Sequence, residues 1–459
     1  MLTAATLIVA GALLARASTS GCGSLNSAAA LDGTCRPAAL NAATPAATSG
    51  RTAGIHVGGG APAQCCTTCT TETTLASQLR FALADKCVYV PRGARVRARD
   101  RRIEFPKAGS GGGCVVVEGE LAVAGIDSGA NNDCIVVNGG RLTVGERGID
   151  LGKGADTIQV TAHGGVLDSA GGVFGKEGDD RVHVSAGGVL RAPELDTDRG
   201  ADLVQLTGSE SVLAVRSKDL QMSEGDDTLI IDDDAKLIGS AYMGNGDDQV
   251  TVATSGVLSG DARMGFGDDQ VQVCGETLAA SGSGVRSAAS ISGQVDLGGG
   301  SAKSTGSPRN CAIVEGSDAS VGGGIRFEGR QNAVIVSNGG KVKGGIEATG
   351  DRYMDQVSLF GPAFIRGDIN LRGGDSNEVR IDATDGKVLV QNGGVYMASR
   401  KDNKLDVVSP APPDPSTIAV SGKVVLANEN RAINTCRIPS TGNYRFGNSD
   451  TGCNTVCST

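Results

Sequence analysis

Tryptophan is absent from this chain of 459 residues, and there are only eight phenylalanines and five tyrosines. That scarcity excludes a large aromatic core and a base-stacking platform for single-stranded nucleic acid. Positive charge is also in short supply. Lys and Arg total 42 against 51 Asp and Glu, a net charge of −9, which argues against nucleic acid or an anionic membrane as the main partner. Long apolar runs are missing too: the one run present, Ala4 to Ala15, is too short to span a bilayer, so no transmembrane segment is expected. Histidine is limited to His56, His163 and His183. Glycine, by contrast, reaches 70 residues, and a hydrophobic content of 39% with a mean hydropathy of −0.06 is too apolar for a disordered chain.

The Ala4–Ala15 run has the length of a secretory h-region and is followed by the small-x-small site Ala15-Arg16-Ala17, which predicts a mature start at Ser18. A secreted or cell-surface location follows. The 13 cysteines suit an oxidising compartment. They are Cys22, Cys35, Cys65, Cys66, Cys69, Cys87, Cys114, Cys134, Cys274, Cys311, Cys436, Cys453 and Cys457. Cys65-Cys66-x-x-Cys69 has metal-like spacing, but with so few histidines disulfide pairing is the better reading.

The middle of the chain is a repeat. A turn ending in Asp or Asn, one variable residue and an apolar-x-apolar strand recur as NNDCIVV (131–137), EGDDRVHV (177–184), NGDDQVTV (245–252), FGDDQVQV (266–273) and weaker copies up to DNKLDV (402–407). The key positions are Asp133, Asp156, Asp180, Asp202, Asp227, Asp248, Asp269, Asn310, Asn332, Asp355, Asn377 and Asn403, mostly about 21–26 residues apart. The step from Asp269 to Asn310 is close to two periods, so one degenerate coil or an insertion is expected there. A second short strand follows Gly-Gly in most periods, and a third apolar patch leads back to the next Asp turn. Three short strands with Gly or Asp at each corner describe one coil of a three-sided, right-handed parallel β-helix, an all-β solenoid of about 14 coils and about 65 Å.

Alternation assigns the faces. The second and fourth residues after the Asp are nearly always Val, Ile or Leu and point inward; the first and third are mostly polar and point out. Cys114, Val116, Cys134 and Val136, and later Cys311, Ile313 and Ile335, are apolar at outward positions and require a cover. The expected covers are the N-terminal segment and the Ser/Gly-rich stretch 275–308. Before the repeat, TLASQLRFALADK (74–86) predicts a helix, and CVYV (87–90) and RVRARDRRIEF (95–105) predict strands. The division expected is therefore a signal peptide (1–17), a Cys-containing α+β cap (18–109), acidic coils (110–274), the insertion or degenerate coils (275–308), further coils (309–409) and a C-terminal cap with a Cys cluster (410–459). Arg95, Arg97, Arg99 and Arg101 share one strand face, with Arg92 and Arg102 nearby. They suit either an acidic polysaccharide or pairing with Glu104, Glu118 and Glu120.

Stacking the coils places Asp133 through Asp269 in one column, with Asp179, Asp226, Asp247 and Asp268 in a second beside it. Residues 150–274 hold 23 acidic and 9 basic side chains, a net charge of −14. Unit charges about 4.8 Å apart repel by roughly 1 kcal/mol in water and about 3–4 kcal/mol at a surface-like dielectric. Two remedies are open: a bound cation, for which hard oxygen ligands in Gly-rich turns suit Ca²⁺, or a ladder in which each Asp or Asn bonds to turn backbone of the next coil. Met222, Met243 and Met264 recur at the same spacing and read as a core stack.

Gly244-Asn245-Gly246-Asp247-Asp248-Gln249-Val250 and Gly265-Phe266-Gly267-Asp268-Asp269-Gln270-Val271 resemble the G-x-G-x-D-x-U part of the RTX calcium repeat. That resemblance implies calcium held between successive turns, with Asp248 and Asp269, and by extension Asp156, Asp180, Asp202 and Asp227, in the ligand role. The metal candidates are these six together with Asp179, Asp226, Asp247 and Asp268. The V-x-x-GG-x-L phrases are similar to passenger domains of bacterial autotransporter adhesins, which implies an extracellular surface, matrix or polysaccharide as partner, and self-assembly as a further option. Pectin-hydrolase-like enzymes resemble the GDD phrase but use it once, with companion motifs missing here. The reading is thus a structural or adhesive rod without catalytic residues, the alternative being a carbohydrate-active β-helix enzyme, a polysaccharide lyase or hydrolase. A mineral- or ice-facing protein is a third option that no Thr-x-Thr ladder supports.

Overall fold

The computed structural model describes residues 87–105, 112–275, 288–299, 310–328, 332–349, 354–374, 376–399, 402–408, 418–421, 423–428, 435–437 and 445–446. The chain winds as a parallel β-solenoid. Its first face is a 15-stranded sheet with one strand per coil, from Cys87–Val90 to Thr435–Arg437. The other two faces form a 27-stranded sheet, joined because Glu120–Asp127 pairs at its start with Arg141–Val144 and at its end with Ile149–Lys153. Beyond that strand the corner breaks, and the second- and third-face strands each pair with their own kind, as Val166–Ser169 does with Val189–Ala192 and Val173–Glu177 with Leu195–Arg199.

About 12 turns result, slightly fewer than the 14 expected. The difference lies at the ends, where coils carry two strands: Arg95–Glu104 and Glu120–Asp127 run across the second corner unbroken, and Thr435–Arg437 is followed only by Arg445–Phe446 among the described residues. The strands at 87–90 and 95–104 pair in parallel with Cys114–Val117 and Glu120–Asp127, so they form the first coil of the stack. Ile418–Val420 and Val424–Asn428 likewise continue the stack beyond residue 409. The helix expected at 74–86 lies outside the described residues. Among them no helix is long and apolar enough to cross a membrane.

The long step between Asp269 and Asn310 is one coil. Gln270–Cys274 pairs directly with Cys311–Glu315, while Ser290–Ile291 and Gln294–Asp296 keep their places on the other faces. The extra residues therefore enter at corners, where length is tolerated without disturbing the stack.

Period-2 alternation decides what fills the interior. Ile135, Ile158, Val182, Val204, Leu229, Val250 and Val271 occupy one inward column of the first face, and all are buried. Each such side chain contributes about 1.5–3 kcal/mol of burial. Met222, Met243 and Met264 stack in the third-face core as expected and are fully buried. Most of the outward apolar residues are covered: Cys114 and Cys134 are buried, and Cys311, Ile313 and Ile335 form a cluster separate from the main core, with Phe360 packed on it, whereas Val116 and Val136 are only half-buried. The segments expected to cover them fall largely outside the described residues. On the arginine strand, a register shift between Ala98 and Arg102 interrupts the alternation, so Asp100 is exposed alongside Arg99 and Arg101. Arg95 pairs with Glu120 at 3.2 Å, and Arg102 with Asp127 at 2.6 Å.

One corner dictates glycine by contact. A Cβ at Gly225 would lie 1.6 Å from the Gly200 carbonyl oxygen of the preceding coil, at a φ of +143°. Gly139, with a φ of +67°, meets nothing closer than Ala162 Cβ at 3.9 Å, and Asn338 already occupies that backbone region at a φ of 52°. Gly225→Ala is expected to cost about 3 kcal/mol, whereas Gly139→Asn is expected to change stability by less than about 0.5 kcal/mol. Thermal unfolding of the two variants beside the parent checks the contrast.

Candidate functional site

The two aspartate columns sit where the third face turns into the first. In a parallel ladder a residue facing the next coil donates its N–H to one carbonyl there and accepts one N–H. Asp133 accepts normally, from Thr157 N at 2.9 Å. Its own N–H, however, goes to Asp156 Oδ1 at 2.6 Å, in the place a backbone carbonyl would occupy on a straight strand. The substitution repeats: Asp156, Asp180, Asp202 and Asp227 donate to Oδ1 of Asp180, Asp202, Asp227 and Asp248, each at 2.8 Å. Asp248 donates to Asp269 at 3.1 Å, and Asp269 to Asn310 at 2.9 Å. Gly113, standing where an Asp would be, donates to Asp133.

The outer column bonds in the opposite direction. Asp226 Oδ1 accepts from Asp247 N, and Asp247 Oδ1 from Asp268 N, both at 2.9 Å, while Asp179 Oδ1 accepts from Ala201 N at 3.0 Å. A tandem pair such as Asp226-Asp227 therefore clamps both neighbours. Its inner carboxyl reaches back to Asp202, and its outer one reaches forward to Asp247. The second Asp of each GDD phrase is buried and the first is exposed.

Burial sets the protonation of the inner column. Loss of solvation is the largest influence on the six members from Asp156 to Asp269 and outweighs the backbone hydrogen bonds that favour the charged form. Asp156, Asp227 and Asp269 are pushed up to about 8, Asp180 and Asp248 to about 7, and Asp202 to about 6. Asp355, farther along, is pushed up to about 6 by burial. A neutral acid keeps Oδ1 as an acceptor and turns Oδ2 into a donor. The asparagines show where that donor belongs. Asn310 Nδ2 donates to Leu297 O at 2.9 Å, and Asn377 Nδ2 to Leu371 O at 3.1 Å, both on the third face. Asp180 Oδ2 occupies the matching place, since a Cβ on Gly175, in the same third-face column, would lie 2.1 Å from it.

The structure thus brings together all ten candidate residues, as two distinct columns. Asp156, Asp180, Asp202, Asp227, Asp248 and Asp269 are buried in the ladder; Asp179, Asp226, Asp247 and Asp268 line its exposed edge. Among the described residues, no group of three or more His, Cys, Asp or Glu side chains is arranged to hold a metal ion. The sequence did not single out His183, which is buried on the outer surface of the first face, as are Thr251, Gln272 and Ser358 in the same row. Its one signal was an imidazole in an outward row whose neighbouring coils both carry glutamine, Gln159 and Gln205. No family model matches the chain, and neither a curated protein nor a solved structure matches it.

The folded-state values of about 6 to 8 lie above the ordinary 3.8, so between those limits the native chain holds more protons than the unfolded one. The column's contribution is then complete near pH 4 and is lost as pH rises through 6 to 8. The melting temperature is expected to fall from pH 5 to pH 8. Asp227→Asn should flatten that dependence and add about 2 kcal/mol at pH 8. Asp227→Ala strands the Asp202 N–H and should cost about 1–3 kcal/mol at either pH. Melting curves of the three proteins across that range check the signs.

Proposed function

We propose that the chain is a secreted or cell-surface β-solenoid working as a structural and adhesive rod, with its cysteines paired as disulfides in an oxidising compartment. The observation that carries this reading is the inner ladder, in which each corner side chain from Asp156 to Asn310 accepts the backbone N–H of the coil before it. Side chains committed to coil-to-coil cohesion serve rigidity and reach. Fifteen first-face strands stacked about 4.8 Å apart give a rod of about 67 Å. The likeness of the GDD turns to RTX repeats, and of the coils to autotransporter passengers, supports the extracellular setting.

Calcium, in this reading, belongs to the outer column. The inner carboxyls are buried, and burial holds six of them at pKa values of about 6 to 8, which disfavours them as ligands for a hard cation. Asp226, Asp247 and Asp268 are exposed in three successive coils. Calcium at 100 times its Kd is expected to stabilise the protein by about 2.7 kcal/mol. Chelator should reverse the shift, Asp247→Asn should remove it and Asp227→Asn should leave it. A melting temperature indifferent to calcium would remove the metal from the reading. For location, the expected outcome is a mature protein in the extracellular fraction that begins at Ser18; retention inside the cell with residues 1–17 intact would overturn it.

A further inference from the structure

The first face carries a pocket on its outer surface. The third residue after each buried aspartate points outward, and in three successive coils that row reads Gln159, His183 and Gln205, held side by side by the parallel register. The neighbouring row reads Thr157, Arg181 and Leu203. Together these six side chains line a shallow cavity. His183 is only 9% exposed, yet neither Nδ1 nor Nε2 has a hydrogen-bond partner. A buried polar side chain ordinarily has a hydrogen-bond partner, so an imidazole buried with both nitrogens unmet leaves a donor and an acceptor open to a ligand.

The lining selects a chemistry. Burial holds the His183 pKa below its usual value, so the ring is neutral, with one nitrogen donating and the other accepting. The two glutamine amides and the Thr157 hydroxyl also offer both functions; Arg181 only donates. A bare anion only accepts and would leave the acceptors on His183 and the glutamines unmet. A hydroxyl group donates and accepts at once. Leu203 supplies an aliphatic surface for the C–H face of a ring. The surrounding coils, residues 150–274, have a formal net charge of −14, and the acids exposed among them, such as Asp179, Asp226, Asp247 and Asp268, repel a polyanion.

We propose that the Gln159–His183–Gln205 row with Arg181 and Leu203 binds a neutral, hydroxyl-rich saccharide unit of a surface polysaccharide. This deepens the adhesive reading and rests on it. The full-length protein is tested against immobilised neutral polysaccharides (a glucan, a mannan and a galactan) beside a polyuronate and a sulfated glycan. The parent should bind at least one neutral glycan. His183→Leu, similar in bulk and lacking both nitrogens, should melt at a higher temperature and bind at least tenfold more weakly. Gln205→Ala should also weaken binding, whereas Gln249→Ala, farther along the same sheet, should not. The proposal is overturned if the parent binds no neutral glycan, if it prefers the polyuronate, or if His183→Leu binds as the parent does. Adhesion to whole cells measured in parallel separates the two readings: adhesion unchanged in His183→Leu overturns this site and leaves the rod standing.

Discussion

A parallel coil cannot turn a corner without breaking its hydrogen-bond ladder, and the rest of this structure follows from how that break is closed. At the entrance to each first-face strand, one backbone N–H faces the next coil where the carbonyl that should meet it has turned away. A buried donor left in that state costs about 1–3 kcal/mol, and the fault recurs at every coil. An aspartate or asparagine one coil later puts its Oδ1 into the gap, as Asp248 does for Asp227 at 2.8 Å. The glycine column follows from the same closure, because the turn before the aspartate brings backbone onto backbone, with Gly225 stacked on Gly200. A Cβ there would hold the coils apart and pull the carboxyl out of reach.

Closing the gap with a carboxyl has an electrostatic consequence that closing it with an amide does not. Stacked charged carboxylates inside the solenoid would repel one another and forfeit hydration, so the inner aspartates favour the neutral form, up to about 8 for Asp156, Asp227 and Asp269. The formal charge of the acidic coils therefore overstates what a partner meets. The later coils use Asn310, Asn332 and Asn377, whose amides carry no proton to lose; Asn310 supplies both the acceptor for Asp269 N and a donor to Leu297 O. Asn332 goes further and donates its own side-chain Nδ2 to Asp355 at 2.9 Å. In the acidic coils the added outer Asp bonds forward and makes the junction two-way; the later coils have no GDD phrase, and there the amides of Asn310 and Asn377 reach the third face.

Much of this was legible in the sequence, because a solenoid converts period into adjacency. The recurrence of Asp before an apolar-x-apolar strand gave the stacking, and alternation gave the inward residues and the covered outward cluster of Cys311, Ile313 and Ile335. The ladder and the cation site, by contrast, could not be told apart from spacing: both need an acid at every corner, and only the direction of each carboxyl, inward for Asp227 and outward for Asp226, separates them. Spacing also could not show that the long step before Asn310 adds residues at corners rather than a coil, since the intervening strands are only two and three residues long. The shift between Ala98 and Arg102 escaped for a related reason. The apolar positions change parity there, from Val96 and Ala98 to Ile103 and Phe105, but the charged stretch between them leaves the point of the shift unmarked.

A repeat also makes its exceptions informative. When every row on a face is filled by register, a residue is compared directly with its neighbours one coil before and one coil after, in a nearly identical backbone environment. The inner rows change little because each must fill the same space, and the buried corner row, from Asp133 to Asn403, changes only between Asp and Asn because each stands at the same gap. An outward row has neither duty. His183, set between Gln159 and Gln205, gains nothing for the stack from its ring nitrogens, since a leucine would fill the same place without polar atoms to satisfy. The same comparison leaves Asp227 wholly accounted for by cohesion, and so it separates side chains that build the rod from those that the rod displays.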